Sequence, residues 1–329
     1  MKLEILLSLA AYFTTQFFMK NLLWLALFFF FNCQTPKKTL VNADLSPQFI
    51  VVLGIAQDAG YPQPYCGKAC CEAVEKGIEK RKHVTCLGIV DRETQETFML
   101  EATPDFTEQQ HILRGYLTDK SKPLSGVLLT HAHIGHYTGL MYLGREAIGA
   151  TETPVYAMPK MQSFLEKNAP WSQLVGLKNI KIKALRADSS VQMTKNISIK
   201  PFIVPHRDEF SETVGFVIST KNKRVLFIPD IDKWGKWPRN IVEEVSRVEV
   251  ALLDATFYQN GEIPNRDMSE IPHPFIEETM RLFQNSADKS KIKFIHFNHT
   301  NPVLRQTNER QTVVNQGFGV CSEGDVFNL

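Results

Sequence analysis

Residues 126–136 read GVLLTHAHIGH, a short apolar run that empties directly into three histidines within six residues. Alternation along an extended chain places His131 and His133 on one side, and a turn after them brings His136 to the same centre. Imidazole nitrogens suit zinc, iron or nickel, and a three-histidine tripod with one open position activates a bound water. The stretch therefore predicts a metal site on the loop at the carboxyl end of a strand.

Outward from this segment, short β-branched runs recur at 49–56, 85–90, 97–102, 126–130, 154–158, 197–204, 213–219, 224–229, 248–254 and 293–297. Each is bounded by Gly, Pro, Asp, Asn or Lys, the punctuation of strands. Helical patterns lie between them at 105–117, 160–167, 239–246 and 273–285, with Asp105 or Thr107 placed to cap the first. Many strands with interspersed helices predict a layered α/β domain over 49–329, with no linker or repeat inside it.

Residues 1–33 have a different composition. Two apolar runs, 1–18 and 22–31, flank Met19, Lys20 and Asn21. Read from Met19, the segment is a secretory signal: a positive residue, an apolar core too short to span a bilayer as a helix, and then Asn32 and Cys33. A cysteine there resembles a bacterial lipoprotein processing site, which makes Cys33 the lipidation candidate; an uncleaved membrane anchor is the alternative. The polar stretch 34–48 suits a tether. The expectation is an exported, periplasm-facing protein held to the membrane through its N-terminal lipid.

The 329 residues are 43% hydrophobic and 22% charged, with 37 basic and 35 acidic side chains giving a net charge of +2. These values exclude a disordered or fibrous chain, and the balanced charge offers no electrostatic footprint for nucleic acid. No phosphate-binding loop, dinucleotide fingerprint or serine nucleophile elbow is present. Of six cysteines, Cys86 and Cys321 sit in apolar contexts and read as core residues. Cys66, Cys70 and Cys71 cluster, and outside the cytosol such a cluster reads as disulfide-forming or metal-binding. His83 and His111 have no partner motif and read as surface residues.

The segment 131–136 resembles the HxHxDH motif of the metallo-β-lactamase superfamily. Counterparts of that superfamily's later ligands follow in order: His206 in VPHRDEF, Asp230 in LFIPDID and His296 in FIHFNHT. The resemblance implies an αββα sandwich of one domain, with His131, His133, His136, His206, Asp230 and His296 holding metal at one edge. Asp230 at a strand end is placed to bridge two cations, and Asp232 competes for that role. The stretches 54–71, DATF (254–257), IPHPF (271–275) and HFNHTNP (296–302) resemble pyrroloquinoline quinone biosynthesis protein B-like proteins and, in part, the carbon–phosphorus lyase accessory phosphodiesterase. The latter resemblance implies a structural zinc held by Cys66, Cys70, Cys71 and His299. A disulfide with one spare thiol is the alternative.

Gly135 stands where the superfamily motif has its aspartate, a ligand of the second metal. One tightly bound ion with a weak or absent second is the expectation. Asp58, Asp254 and His273 are the candidates to replace that aspartate's orienting and proton-accepting role, with His273 the preferred proton donor. Each has a plain alternative: Asp58 shapes the 57–60 turn, Asp254 caps a strand and His273 begins a helix. Glu212 reads as a supporting group, and the tryptophans of DKWGKWP (232–238) as a pocket lip or packing. The implied function is an exported hydrolase that uses zinc, with iron or manganese as alternatives, on a small phosphodiester, ester or lactone. An iron- and oxygen-dependent oxidative enzyme like the quinone-biosynthesis relatives, and a binding protein without turnover, are the competing expectations.

Overall fold

The computed structural model describes residues 45–329, so the expected targeting segment, Cys33 and residues 34–44 of the tether lie outside the described residues. The first strand starts at Gln48, one residue ahead of the expected 49, and the Ser46 amide donates to Asn328 Oδ1.

One sheet contains Gln48–Gly54 (β1), Cys86–Asp91 (β2), Glu96–Leu100 (β3), Gly126–Leu128 (β4), Thr153–Ala157 (β5) and Ile180–Ala184 (β6). The other contains Val191–Gln192 (β7), Ser198–Ile203 (β8), Val214–Ser219 (β9), Arg224–Ile228 (β10), Val250–Asp254 (β11), Ile292–Ile295 (β12) and Gly319–Val320 (β13). A last strand, Val326–Asn328 (β14), returns to pair with β1, so the orders are β14-β1-β2-β3-β4-β5-β6 and β13-β12-β11-β10-β9-β8-β7. Every strand expected from the apolar runs forms. The alternating IKIKA of β6 and the short β7, β13 and β14 were not visible as apolar runs.

Strand direction explains where function gathers. Strands β3 and β4 are parallel, and β1 runs with them because two successive antiparallel pairings separate β1 from β3. In the second sheet β10, β11 and β12 are parallel, and β8 joins them through antiparallel β9. The carboxyl ends of β1, β4, β8, β10, β11 and β12 and the connections that follow them carry all the expected site residues that lie within the described residues.

The core has two parts. In β1, Ile50 and Val52 enter the cluster between the sheets, while Phe49, Val51 and Leu53 pack with Phe106, Leu113 and Met161 from helices on the outer face. Burial on both faces is why these strands read as continuous apolar runs rather than alternating ones. Helices Ile241–Ser246 and Ile276–Leu282 cover the second sheet, completing the αββα order. The four expected helices form. The first begins at Phe106, but Asp105 does not cap it: its carboxylate takes Arg81 at 2.5 Å and the Val84 amide at 2.8 Å. The last begins at Ile276, not at His273, because Pro274 disfavours helical geometry for the residue before it. His273 is left in the loop.

Candidate metal centre

His131, His136, His206, Asp230, His273 and His296 are all buried, and His133 is half-buried beside them. Asp230 lies at their middle. Its Oδ2 stands 3.0 Å from His136 Nε2 and 3.1 Å from His296 Nε2, and 3.8 Å from His131 Nε2. Its Oδ1 stands 3.8 Å from His206 Nε2. Donor atoms of His131, His133 and His206 lie within 4.8 Å of one another, and so do those of Asp58, His136 and His296.

These approaches are not hydrogen bonds. His136 Nε2, His206 Nε2, His296 Nε2, Asp230 Oδ2 and Asp58 Oδ1 are buried with no hydrogen-bond partner, although they crowd together. Buried polar atoms are otherwise almost always satisfied. Lone pairs of nitrogen and carboxylate oxygen aimed at common points fit one or two cations of the zinc, iron or manganese type.

A supporting layer fixes the rings. Asp254 Oδ1 can only accept, so the Thr256 hydroxyl donates to it at 2.7 Å; the hydroxyl oxygen of Thr256 then accepts from His296 Nδ1 at 3.0 Å. That assigns the proton of His296 to Nδ1 and leaves Nε2 bare towards Asp230. Thr130 Oγ1 lies 2.8 Å from His131 Nδ1 and plays the same part there. Glu101, fully buried, accepts the Thr130 amide at 3.3 Å and places its other oxygen 3.3 Å from His136 Nδ1. Two of these residues hold left-handed backbone, Glu101 at φ +86 and His296 at φ +69. Such conformations cost about 1–3 kcal/mol each and persist where surrounding structure imposes them. Glu101, Thr130 and Thr256 were not singled out from the sequence: TFMLEA reads as an ordinary strand end, and DATF drew notice for Asp254 and the resemblance, not for its threonine.

Electrostatics follow the same crowding. The surrounding imidazoles, His296 first, hold Asp230 well below the usual carboxylate range against the opposing effect of burial. Burial depresses His206 to about 4, so it is a neutral ligand near pH 7. His273 differs: burial would lower it, but Asp254, 2.8 Å from Nδ1, and the Asp230 and Asp58 charges raise it to about 9.

The structure separates several expectations. Asp232 is not at the middle: it lies 3.4 Å from His206 Nδ1, the nitrogen facing away from Asp230, and pairs with Lys236 at 3.0 Å. Asp58 and Asp254 are both at the site. Asp58 Oδ1 stands 3.5 Å from His136 Nε2, while Asp254 anchors His273 and the Ile231 amide. Glu212 accepts the Lys160 amide at the start of helix Pro159–Lys167 and is structural. Trp234 and Trp237 are buried, with their ring N–H groups on Thr279 and Ile203, so they pack rather than form a lip. His83 is not a surface residue: its side chain is 15% exposed and lies between Glu108 at 2.6 Å and Glu323 at 3.2 Å.

Cys66, Cys70, Cys71 and His299 bring their ligand atoms within 4.8 Å of one another. The sulfurs of Cys66 and Cys70 are 3.6 Å apart, and all five cysteines of the described residues are free thiols, so the disulfide alternative is not formed. Cys86 and Cys321 are buried in the core as expected.

A family model described as the beta-lactamase superfamily domain matches residues 96–297. Coenzyme PQQ synthesis protein B of Klebsiella pneumoniae is 27% identical over 316 residues, spanning 85% of this chain and 98% of that protein. Among solved structures, Zn2+-bound PqqB from Methylobacterium extorquens superposes with a TM-score of 0.70 at 20% identity, over 85% of this chain and 100% of that one. A diphosphatase from the PhnP family superposes with a TM-score of 0.61 at 18% identity, over 85% and 96% of the two chains.

Proposed function

The chain belongs to the metallo-β-lactamase superfamily and is similar to coenzyme PQQ synthesis protein B, and from that premise we propose that it is a metal-dependent hydrolase of a phosphodiester or a related ester or lactone. The observation that carries this reading is the set of buried, unpartnered donor atoms gathered around Asp230. When bound, a zinc-type cation supplies Lewis acidity and lowers the pKa of water from about 15.7 towards about 7.

The chain's own residues do the rest. His131, His133, His206 and Asp230 would hold the first cation; Thr130 sets the ring of His131 and Thr256 that of His296. His273, raised to about 9, carries a proton at neutral pH and is the group suited to protonate a leaving oxygen. Asp254 keeps that imidazolium in place. Beside His273 lies a cleft of about 310 Å³ lined also by Arg207, Arg266, Glu270 and Asn298. Two arginines there favour an anionic, phosphorylated substrate over a neutral ester. Zinc is the metal of choice for this donor set, and Cys66, Cys70, Cys71 and His299 form a closed shell suited to a second, structural zinc. The segment 1–33 supports export and lipid attachment at Cys33 as part of the same proposal.

Purified protein is expected to turn over bis(4-nitrophenyl) phosphate in a metal-dependent manner, and His131→Ala and His206→Ala are each expected to abolish it. Undiminished turnover in both variants would sink the reading. The similarity to PQQ synthesis protein B along nearly that protein's whole length favours an oxidative role as the second reading. Iron-dependent oxygen consumption without diester turnover would select it.

A further inference from the structure

We propose that Asp58 is the ligand that completes a second cation position, supplying from a distant loop the carboxylate that the histidine motif lacks at Gly135. The inference rests on the reading of the histidine cluster as a metal centre.

The space above Gly135 is not vacant. A Cβ at that residue would lie 2.5 Å from Asp58 Cα, 2.5 Å from Asp58 Oδ1 and 3.2 Å from Asp58 Cβ. Real contacts of a Cβ with backbone never come so close, so residue 135 is glycine because Asp58 occupies the place from which a side chain at 135 would grow. The sequence loses a carboxylate at one position, and the fold brings one to the same volume from the loop after β1.

The oxygen it delivers is suitably placed. The Asp58 side chain is 27% exposed, yet its Oδ1 is buried and has no hydrogen-bond partner. That atom stands 3.5 Å from His136 Nε2, and it shares a cluster with His136 and His296. Asp230 Oδ2 adds the fourth donor, 3.0 Å and 3.1 Å from the same two imidazoles. All four donor atoms are buried and unpartnered, a combination that is costly without a cation and natural with one.

The loop is also held firmly enough for the task. The Gln57 amide donates to the Phe297 carbonyl at 2.9 Å, directly after His296, and the Gly60 amide closes a turn onto Gln57 at 2.8 Å with Gly60 at φ +77. Asp58 and His296 are thereby tied to one backbone. The turn-shaping alternative for Asp58 is met by its neighbours, which leaves its carboxylate free of that duty. With two imidazoles and two carboxylates, the second position is richer in oxygen than the first and suits manganese or iron as well as zinc.

The test is metal content by element in the full-length wild type and in Asp58→Asn, each loaded with Zn2+ and freed of excess by gel filtration. Wild type is expected to hold three ions, two at the histidine cluster and one at the cysteine cluster, and Asp58→Asn two. Competition with a chromophoric chelator should show the weakest cluster site of the variant loosened by about 10- to 100-fold or more. A wild-type crystal soaked in Zn2+ gives a readout that needs no variant: an anomalous peak at about 2.0–2.2 Å from Asp58 Oδ1 is expected. Three ions with unchanged affinity in Asp58→Asn, or a second ion seated beyond contact with Asp58, would overturn the proposal. Because neither readout uses turnover, a fully loaded protein without hydrolase activity would refute the proposed function and leave this assignment standing.

Discussion

At the scale of single residues, Thr256 shows how a hydroxyl decides what a histidine does. Its proton is committed to Asp254, so its oxygen must receive the Nδ1 proton of His296, and the bare nitrogen faces Asp230. Thr256→Val keeps the shape and removes the hydrogen bonds. It is expected to weaken metal binding at the histidine cluster by about 10- to 100-fold, with Thr256→Ser close to wild type, as read by chelator competition. Equal affinity in both variants would show that the hydroxyl is dispensable. His131, His133 and His136 were legible in the sequence because a strand end and their spacing announce them, and His206, Asp230 and His296 through the superfamily resemblance. Thr256 and Glu101 were not, since their roles depend on partners brought near only by the sheets, and the left-handed backbone of Glu101 leaves no mark in TFMLEA. Gly135 was legible only as a defect, because its compensation lies in a different loop.

At the scale of elements, His83 joins pieces that sequence reading left apart. It precedes β2, yet its ring meets Glu108 on helix Phe106–Arg114 and Glu323 in the loop before β14. Glu323 first and Glu108 second raise it to about 9 against the depressing effect of burial. A group whose folded pKa lies above its unfolded value of about 6.5 stabilises fully below pH 6.5, and the contribution is lost as pH rises through about 9. The melting temperature of wild type is therefore expected to fall between pH 6.5 and 9.5 more steeply than that of His83→Gln. Parallel curves would remove His83 from the account. The cysteine cluster is a second such junction. Cys70 and Cys71 open the helix Ala69–Glu75, Cys66 precedes it and His299 follows β12. Without an ion, burial pushes the Cys71 thiol up to about 12, so ligation there must release a proton. Cys71→Ser should lose one zinc per chain and lower the melting temperature, measured by elemental analysis and calorimetry; retention of that zinc would argue against the site.

At the scale of the whole molecule, a layered α/β domain was legible because both faces of strands such as β1 are buried, which makes their apolar runs continuous, while the αββα order followed only from the superfamily resemblance. The two-sheet partition was less so: β6, β7, β13 and β14 are short or alternating, and pairing across the chain, not local composition, creates them. Each sheet holds three antiparallel pairings followed by three parallel ones, and each contributes to the same rim. Asp58, Glu101 and the three clustered histidines come from one sheet; His206, Asp230, Asp254 and His296 come from the other. A cation held by both sets is then a rivet through the open seam of the sandwich, set where the two apolar inner faces give way to charge. Its withdrawal should let the rims part like the mouth of a purse while the opposite margin stays shut. Hydrogen exchange of the stripped protein is expected to quicken at residues 129–136, 229–232 and 296–298 and to remain slow at the amino ends of β3 and β10, whereas uniform quickening would mean that the metal holds the whole fold rather than its rim.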